Sequence, residues 1–184
     1  MKKTLALVFL LITFIASASA AEQEYSPQQS LEQALLAQEG KVVYIDFWAS
    51  WCGPCVKSFP WMNKIQQQYK EQGFTVISIN LDADETNASQ FLQDNPASFA
   101  VIYDPKGTIA KHFSIVGMPT SMLINRDGVL KYRHSGFFTG KVNQYEDEIK
   151  QLLNSSSAIL SKNIPNKTPN MAHNKTKRGN HESE

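Results

Sequence analysis

Two cysteines, the only ones in the chain, stand three positions apart in Trp51-Cys52-Gly53-Pro54-Cys55. Thiols at this spacing can close a permanent disulfide, supply part of a metal site, or cycle between dithiol and disulfide. Closing so small a ring removes little entropy from the unfolded chain, so stabilisation is a poor reason for such a bridge. A zinc site needs further ligands, whereas a linear Cu(I) site needs only the pair. A copper-carrying chain is therefore the reading from a different class, marked by stoichiometric Cu(I) uptake and no catalysed exchange. Reversible exchange needs one acidic thiol and a second thiol to resolve what the first has captured. The local sequence serves that need. Pro54 suits the first position of a helix, which leaves Cys52 just outside its N-terminus, where free N–H groups and the helix dipole favour a thiolate. Cys55 follows about one turn later on the same face.

The pair must be delivered by what precedes it. Val42-Val43-Tyr44-Ile45-Asp46-Phe47-Trp48-Ala49 is too short and too rich in β-branched and aromatic residues for a helix, and reads as a buried strand with the cysteines at its C-terminal end. Asp46 is the exception inside it. Burial penalises an ionised carboxylate, so its pKa should rise, and a carboxyl poised beneath the cysteines could take or give the proton of Cys55. The plainer alternative is an aspartate held in a structural hydrogen bond.

The remaining elements follow in order. Ser26-Pro27 opens a helix with an apolar stripe at Leu31, Ala34 and Leu35, and Gly40 ends it. The helix entered at Pro54 runs to about Gln72, with a kink expected near Val56-Lys57 because Pro60 removes a backbone hydrogen bond. Phe74 to Leu81 is a second core strand, parallel to the first through a crossover. Between Asp82 and Ser114 a short helix (Thr86 to Asp94), a short strand (Ala100 to Tyr103), a turn at Asp104-Pro105-Lys106-Gly107 and a further helical turn are expected. Thr120 to Ile124 and Val129 to Arg133 flank Asn125-Arg126-Asp127-Gly128 as a hairpin, and a last helix spans about Lys141 to Leu153.

Asp46-Phe47-Trp48-Ala49 ahead of Trp51-Cys52-Gly53-Pro54-Cys55, Pro60 beyond it, then Gly117-Met118-Pro119-Thr120, Gly128 and Gly136 together resemble the thioredoxin superfamily, over roughly Ser26 to Asn154. The resemblance implies an α/β thioredoxin fold: a central mixed sheet flanked by helices. The long connection between the second core strand and Pro119, together with export, is similar to the exported TlpA/ResA type, which carries an insertion there. It further implies that Cys52 attacks, Cys55 resolves, the Met118-Pro119 bond is cis, and Trp51, Gly53, Pro54, Met118 and Pro119 edge a substrate groove. Asp46 follows thioredoxins, where many TlpA/ResA-type chains carry asparagine. The family's partner lysine on the next strand is replaced by Ser78, which leaves proton transfer to water. An acidic residue near the cysteines is used by TlpA/ResA-type proteins; Asp82, Asp84 and Glu85 are candidates that cannot be aligned. Trp48 is expected in the core, Trp61 in either setting, and His112 and His134 at the surface, since nothing places them beside Cys52. The implied activity is protein-disulfide reduction, with disulfide formation as the alternative. Implied partners are protein thiols and disulfides, for example those of apocytochrome c, and a membrane electron donor. No cofactor and no metal are expected.

Residues 1–20 read as a secretory signal: Lys2 and Lys3, an apolar run from Leu5 to Ile15 too short to span a bilayer, and Ala18-Ser19-Ala20 before the cut. No cysteine follows the cut to take a lipid anchor, so the product is expected to be periplasmic or otherwise exported. Removing Lys2 and Lys3 takes the net charge from +1 to −1, which argues against a nucleic-acid surface. Residues 155–184 carry five cations against Glu182 and Glu184, leaving −4 on residues 21–154. With few apolar groups, that tail is expected to be disordered, and its His173 and His181 match no metal site. The expected domain thus spans residues 21–154.

Overall fold

The computed structural model describes residues 25–162; the expected export signal and the tail beyond residue 162 lie outside them. Helix α1 (Pro27–Leu36) begins as its residues dictate. Ser26 accepts from the Gln29 N–H at 3.3 Å while the Gln29 side chain accepts from the Ser26 N–H at 2.9 Å, a reciprocal cap before a first-position proline. The other elements are β1 (Val42–Trp48), α2 (Gly53–Tyr69), β2 (Phe74–Asn80), α3 (Glu85–Asp94), β3 (Ala100–Tyr103), α4 (Thr108–His112), β4 (Thr120–Ile124), β5 (Leu130–Ser135) and α5 (Val142–Lys162).

The strands form one mixed sheet in the order β3-β2-β1-β4-β5. β1, β2 and β3 run parallel, and β4 and β5 antiparallel to their neighbours. β1 sits at the centre, buried on both faces, which is why its sequence is apolar without alternation. Alternate β1 residues feed two cores. Tyr44 and Trp48 face α2 and α5 beside both cysteines, whereas Val43, Ile45 and Phe47 face α1 and α4. Next to the cysteines the first core is aromatic. Trp48 lies 4.7 Å from Phe59 and 4.9 Å from Phe91, centroid to centroid. Burying a side chain of this size contributes roughly 2–3 kcal/mol, and this cluster sets the floor beneath α2.

The stretch between β2 and β4 is ordered by one carboxylate. Asp104, fully buried, accepts from the N–H groups of Thr108, Ile109 and Ala110 and from the Thr108 hydroxyl, so the expected turn also caps α4. The expected hairpin forms, with β5 beginning at Leu130. Its tip reaches further than a turn motif implies, because Arg126 donates to the carbonyls of Gly40 and Gln72. α5 continues in its backbone to Lys162, past the expected end near Leu153 and into what the sequence assigns to the tail. No glycine or proline interrupts residues 154–162, so nothing local stops the helix. Among the described residues no helix is long and apolar enough to cross a membrane.

Candidate active site

β1 delivers the chain to the sheet edge where α2 starts, and the two cysteines span that junction. Cys52 is the N-cap of α2: its extended backbone turns the chain, its carbonyl accepts from Cys55 and Val56, and its Sγ accepts from the Cys55 N–H at 3.3 Å. A sulfur here faces the donor end of the helix. Gly53 occupies the first helical turn, one residue earlier than expected, with Pro54 next; both are exposed. The two sulfurs are joined as a disulfide, Cys52 with 5% exposure and Cys55 with none. Pro60 lies inside α2, which runs on as one helix to Tyr69.

Asp46 lies on the face of β1 that also carries Tyr44 and Trp48, under α2, with 1% exposure. Burial alone holds its pKa well above the usual carboxylate value. Its Oδ2 has no hydrogen-bond partner among the described residues. The same burial, with Asp46 nearby, pushes the Tyr44 phenol up.

On the opposite wall, the Met118-Pro119 bond is cis. The loop is tied at both ends. The Thr120 hydroxyl donates to the Gly117 carbonyl at 2.7 Å, and the Gly136 N–H donates to the Pro119 carbonyl at 2.7 Å. Gly136 adopts φ +83° and a Cβ there would meet the Phe138 ring, so this tie requires glycine. Arg133 donates to the carbonyls of Phe113 and Ser114, both at 2.9 Å, and so fixes the approach to the loop. Trp51 is 71% exposed beside the cysteines, Val116 is exposed and Met118 half-buried, while Trp48 and Trp61 are core.

Of the three acidic candidates that follow β2, Asp82 is the one hydrogen-bonded to the loop that carries the cysteines. It is 1% exposed and accepts from the Ser50 N–H and hydroxyl, each at 2.9 Å, and from the Asn80 amide at 2.7 Å. Ser50 immediately precedes Trp51-Cys52, so the carboxylate braces the loop that carries the cysteine pair rather than touching a sulfur. Asp84 caps α3 through the Thr86 N–H, and Glu85 lies in the first turn of that helix. Replacing Asp82 with alanine strands buried donors and should lower stability by about 2–4 kcal/mol, read from urea unfolding. An unchanged midpoint would show that the brace carries no weight.

His134 corrects its surface assignment. Its side chain is 16% exposed, with Nε2 2.9 Å from Glu148 Oε2 and the ring against Tyr145. The alternation of β5 was the available signal, because it turns His134 to the same face as the half-buried Tyr132. His112 is exposed on α4. Among the described residues no group of three or more His, Cys, Asp or Glu could hold a metal ion.

A family model described as Redoxin matches residues 17–149. The thiol-disulfide oxidoreductase ResA of Bacillus thuringiensis subsp. konkukian is 37% identical over 116 residues, covering 62% of this chain and 65% of that protein. The ResA of Halalkalibacterium halodurans is 32% identical over 115 residues, covering 62% and 64%. The chain thus spans just under two thirds of the length of these curated relatives. Among solved structures, a Chlorobium tepidum protein described as a thiol:disulfide interchange protein DsbE is 48% identical, with a TM-score of 0.64 over 65% of this chain and 85% of that one. StoA of Bacillus subtilis is 26% identical, with a TM-score of 0.52 over 59% and 82%.

Proposed function

The chain belongs to the Redoxin family, and from that premise we propose that it is an exported thiol–disulfide oxidoreductase that reduces disulfides in client proteins. The observation that carries the reading is the placement of Cys52 as helix cap at the end of the strand that carries a buried carboxyl with an unpartnered Oδ2, with Cys55 one turn along. In the dithiol form the helix N-terminus favours the Cys52 thiolate, which attacks one sulfur of a client disulfide and releases the other as a thiolate. Asp46 then takes the Cys55 proton, and the Cys55 thiolate attacks Cys52, restoring the internal disulfide and freeing the second client sulfur. Two electrons pass to the client. A dithiol donor must return them, which in an exported protein implies a membrane-borne source.

The reducing direction is supported by Gly53-Pro54 between the cysteines, which resembles reducing thioredoxins. Trp51 and Met118 give apolar surface beside the cysteines, suited to an unfolded or extended protein segment such as an apocytochrome c awaiting its haem. Residues 1–20 support export. Insulin reduction driven by dithiothreitol, run beside a Cu(I) titration, tests the reading. Catalysed turnover is expected. Stoichiometric copper uptake without turnover would replace the reading with a copper carrier. Acid-quenched alkylation in cells should find the pair mainly reduced; a mainly oxidised pair would turn the assignment to disulfide formation.

A further inference from the structure

The face of the sheet beneath α2 and α5 is largely apolar, apart from Asn80 beside Trp48 and one line of polar residues that crosses it. Ser78 on β2, Asp46 on β1, Ser121 on β4 and His134 on β5 are register partners in turn, one from each neighbouring strand. The line beside it, Val76, Tyr44, Leu123 and Tyr132, belongs to the hydrophobic core. A polar row through such a core carries a desolvation cost that packing does not explain.

The row has a direction. At its inner side the Ser78 hydroxyl is engaged with the Ala100 carbonyl at 3.2 Å. Asp46, with an unpartnered Oδ2, sits next, and its cross-strand neighbour Ser121 has its Cβ about 5 Å away. Ser121 Oγ is 3.5 Å from His134 Nδ1. His134 Nε2 is 2.9 Å from Glu148 Oε2 on α5, close enough for an ion pair although the angle is poor for a hydrogen bond. Gln144, on the exposed side of α5, donates to Glu148 Oε1 at 3.0 Å. The groups facing the row are therefore Cys55 from α2, Tyr44 from β1, and Tyr145 and Glu148 from α5. Among the described residues no lysine or arginine pairs with Asp46 or Glu148.

We propose that Ser121, His134 and Glu148 form the route by which Asp46 exchanges its proton with solvent, His134 acting through Asp46 and not on the sulfurs. The inference rests on the reading of Asp46 as proton acceptor for Cys55. When Cys55 turns on the mixed disulfide, its S–H proton passes to the Asp46 carboxylate. Asp46 has no direct hydrogen bond to Ser121, so one bridging water carries its proton to Ser121 Oγ while the Ser121 hydroxyl proton moves to His134 Nδ1. His134 releases its Nε2 proton to Glu148, which passes it to water, and the ring, now protonated on Nδ1, regains its Nε2–H form by exchange with solvent before the next turnover. One proton leaves for each Cys55 thiol consumed, and the row returns to its starting charge. The route leaves Asp46 on the β4–β5 side, opposite to Ser78 on β2.

Mixing the reduced full-length chain with dithiobis(nitrobenzoate), whose product stays ionised, separates the two sulfur steps. The first nitrothiolate reports attack by Cys52 and the second reports attack by Cys55; a pH dye reports proton release. His134→Gln and Glu148→Gln should leave the first step unchanged, slow the second on the order of tenfold, and delay the proton behind it. Equal slowing of both steps, or no change in either, overturns the relay and leaves His134 a packing residue. A wild-type chain that never releases the second nitrothiolate brings down the exchange reading itself, and this inference with it.

Discussion

Replacing Cys55 with serine should leave a protein that captures its clients and cannot release them. Cys52 keeps its place as the cap of α2, where its sulfur accepts from the backbone N–H of residue 55, a group that serine retains. The first attack therefore proceeds. The second is lost, because resolution depends on a thiol held one turn away, and intramolecular geometry of that kind is equivalent to very high local thiol concentrations. Turnover in insulin reduction should fall roughly a thousandfold or more, with covalent adducts visible on non-reducing gels. Cys52→Ser should abolish turnover and form no adducts. Adducts with Cys52→Ser but none with Cys55→Ser would exchange the roles of the two sulfurs.

Asp46→Asn should make the protein slower and, above a certain pH, more stable. The buried carboxyl has a folded-state pKa raised above its unfolded value. Below the unfolded value both states hold the proton and the aspartate carries no ionisation penalty. Between the two values the folded state keeps a proton that the unfolded state has lost, so stability declines as pH rises through the folded pKa. Each unit of elevation corresponds to about 1.4 kcal/mol. The amide does not ionise, so the melting temperature of Asp46→Asn relative to wild type should climb by several degrees for each pH unit between the unfolded and the folded pKa of Asp46, and level off above the folded one. The Cys55 step should meanwhile slow on the order of a hundredfold near neutrality and lose its rise with pH, since no carboxylate remains to take the proton. A stability difference that is flat across this range would mean that Asp46 does not ionise inside the fold.

These two expectations concern residues already visible as chemistry in the chain. Cys52, Cys55 and Pro54 announce themselves because capping and disulfide exchange act over three residues, and Asp46 stands out as a charge in an apolar strand. Pro119 was legible only by resemblance to a known family. The polar residues that hold these groups in place were less visible. Asp82 could not be separated from Asp84 and Glu85 by pattern, because what distinguishes it is a contact with Ser50, thirty-two residues earlier. Arg133 and Arg126 read as ordinary hairpin residues, yet each closes a loop from a remote part of the chain.

What the sequence determined by itself is therefore local: where strands and helices begin, which sulfur caps a helix, and which carboxyl has been placed where water is scarce. Those follow from spacing, backbone freedom and side-chain polarity within a turn or a strand. The tertiary structure alone decided which polar residues stand beside that carboxyl. Ser121, His134 and Glu148 come from separate elements, and only the sheet register and the packing of α5 bring them into line. Register is a long-range property, because shifting a strand by one residue would turn His134 to the opposite face and cut the row.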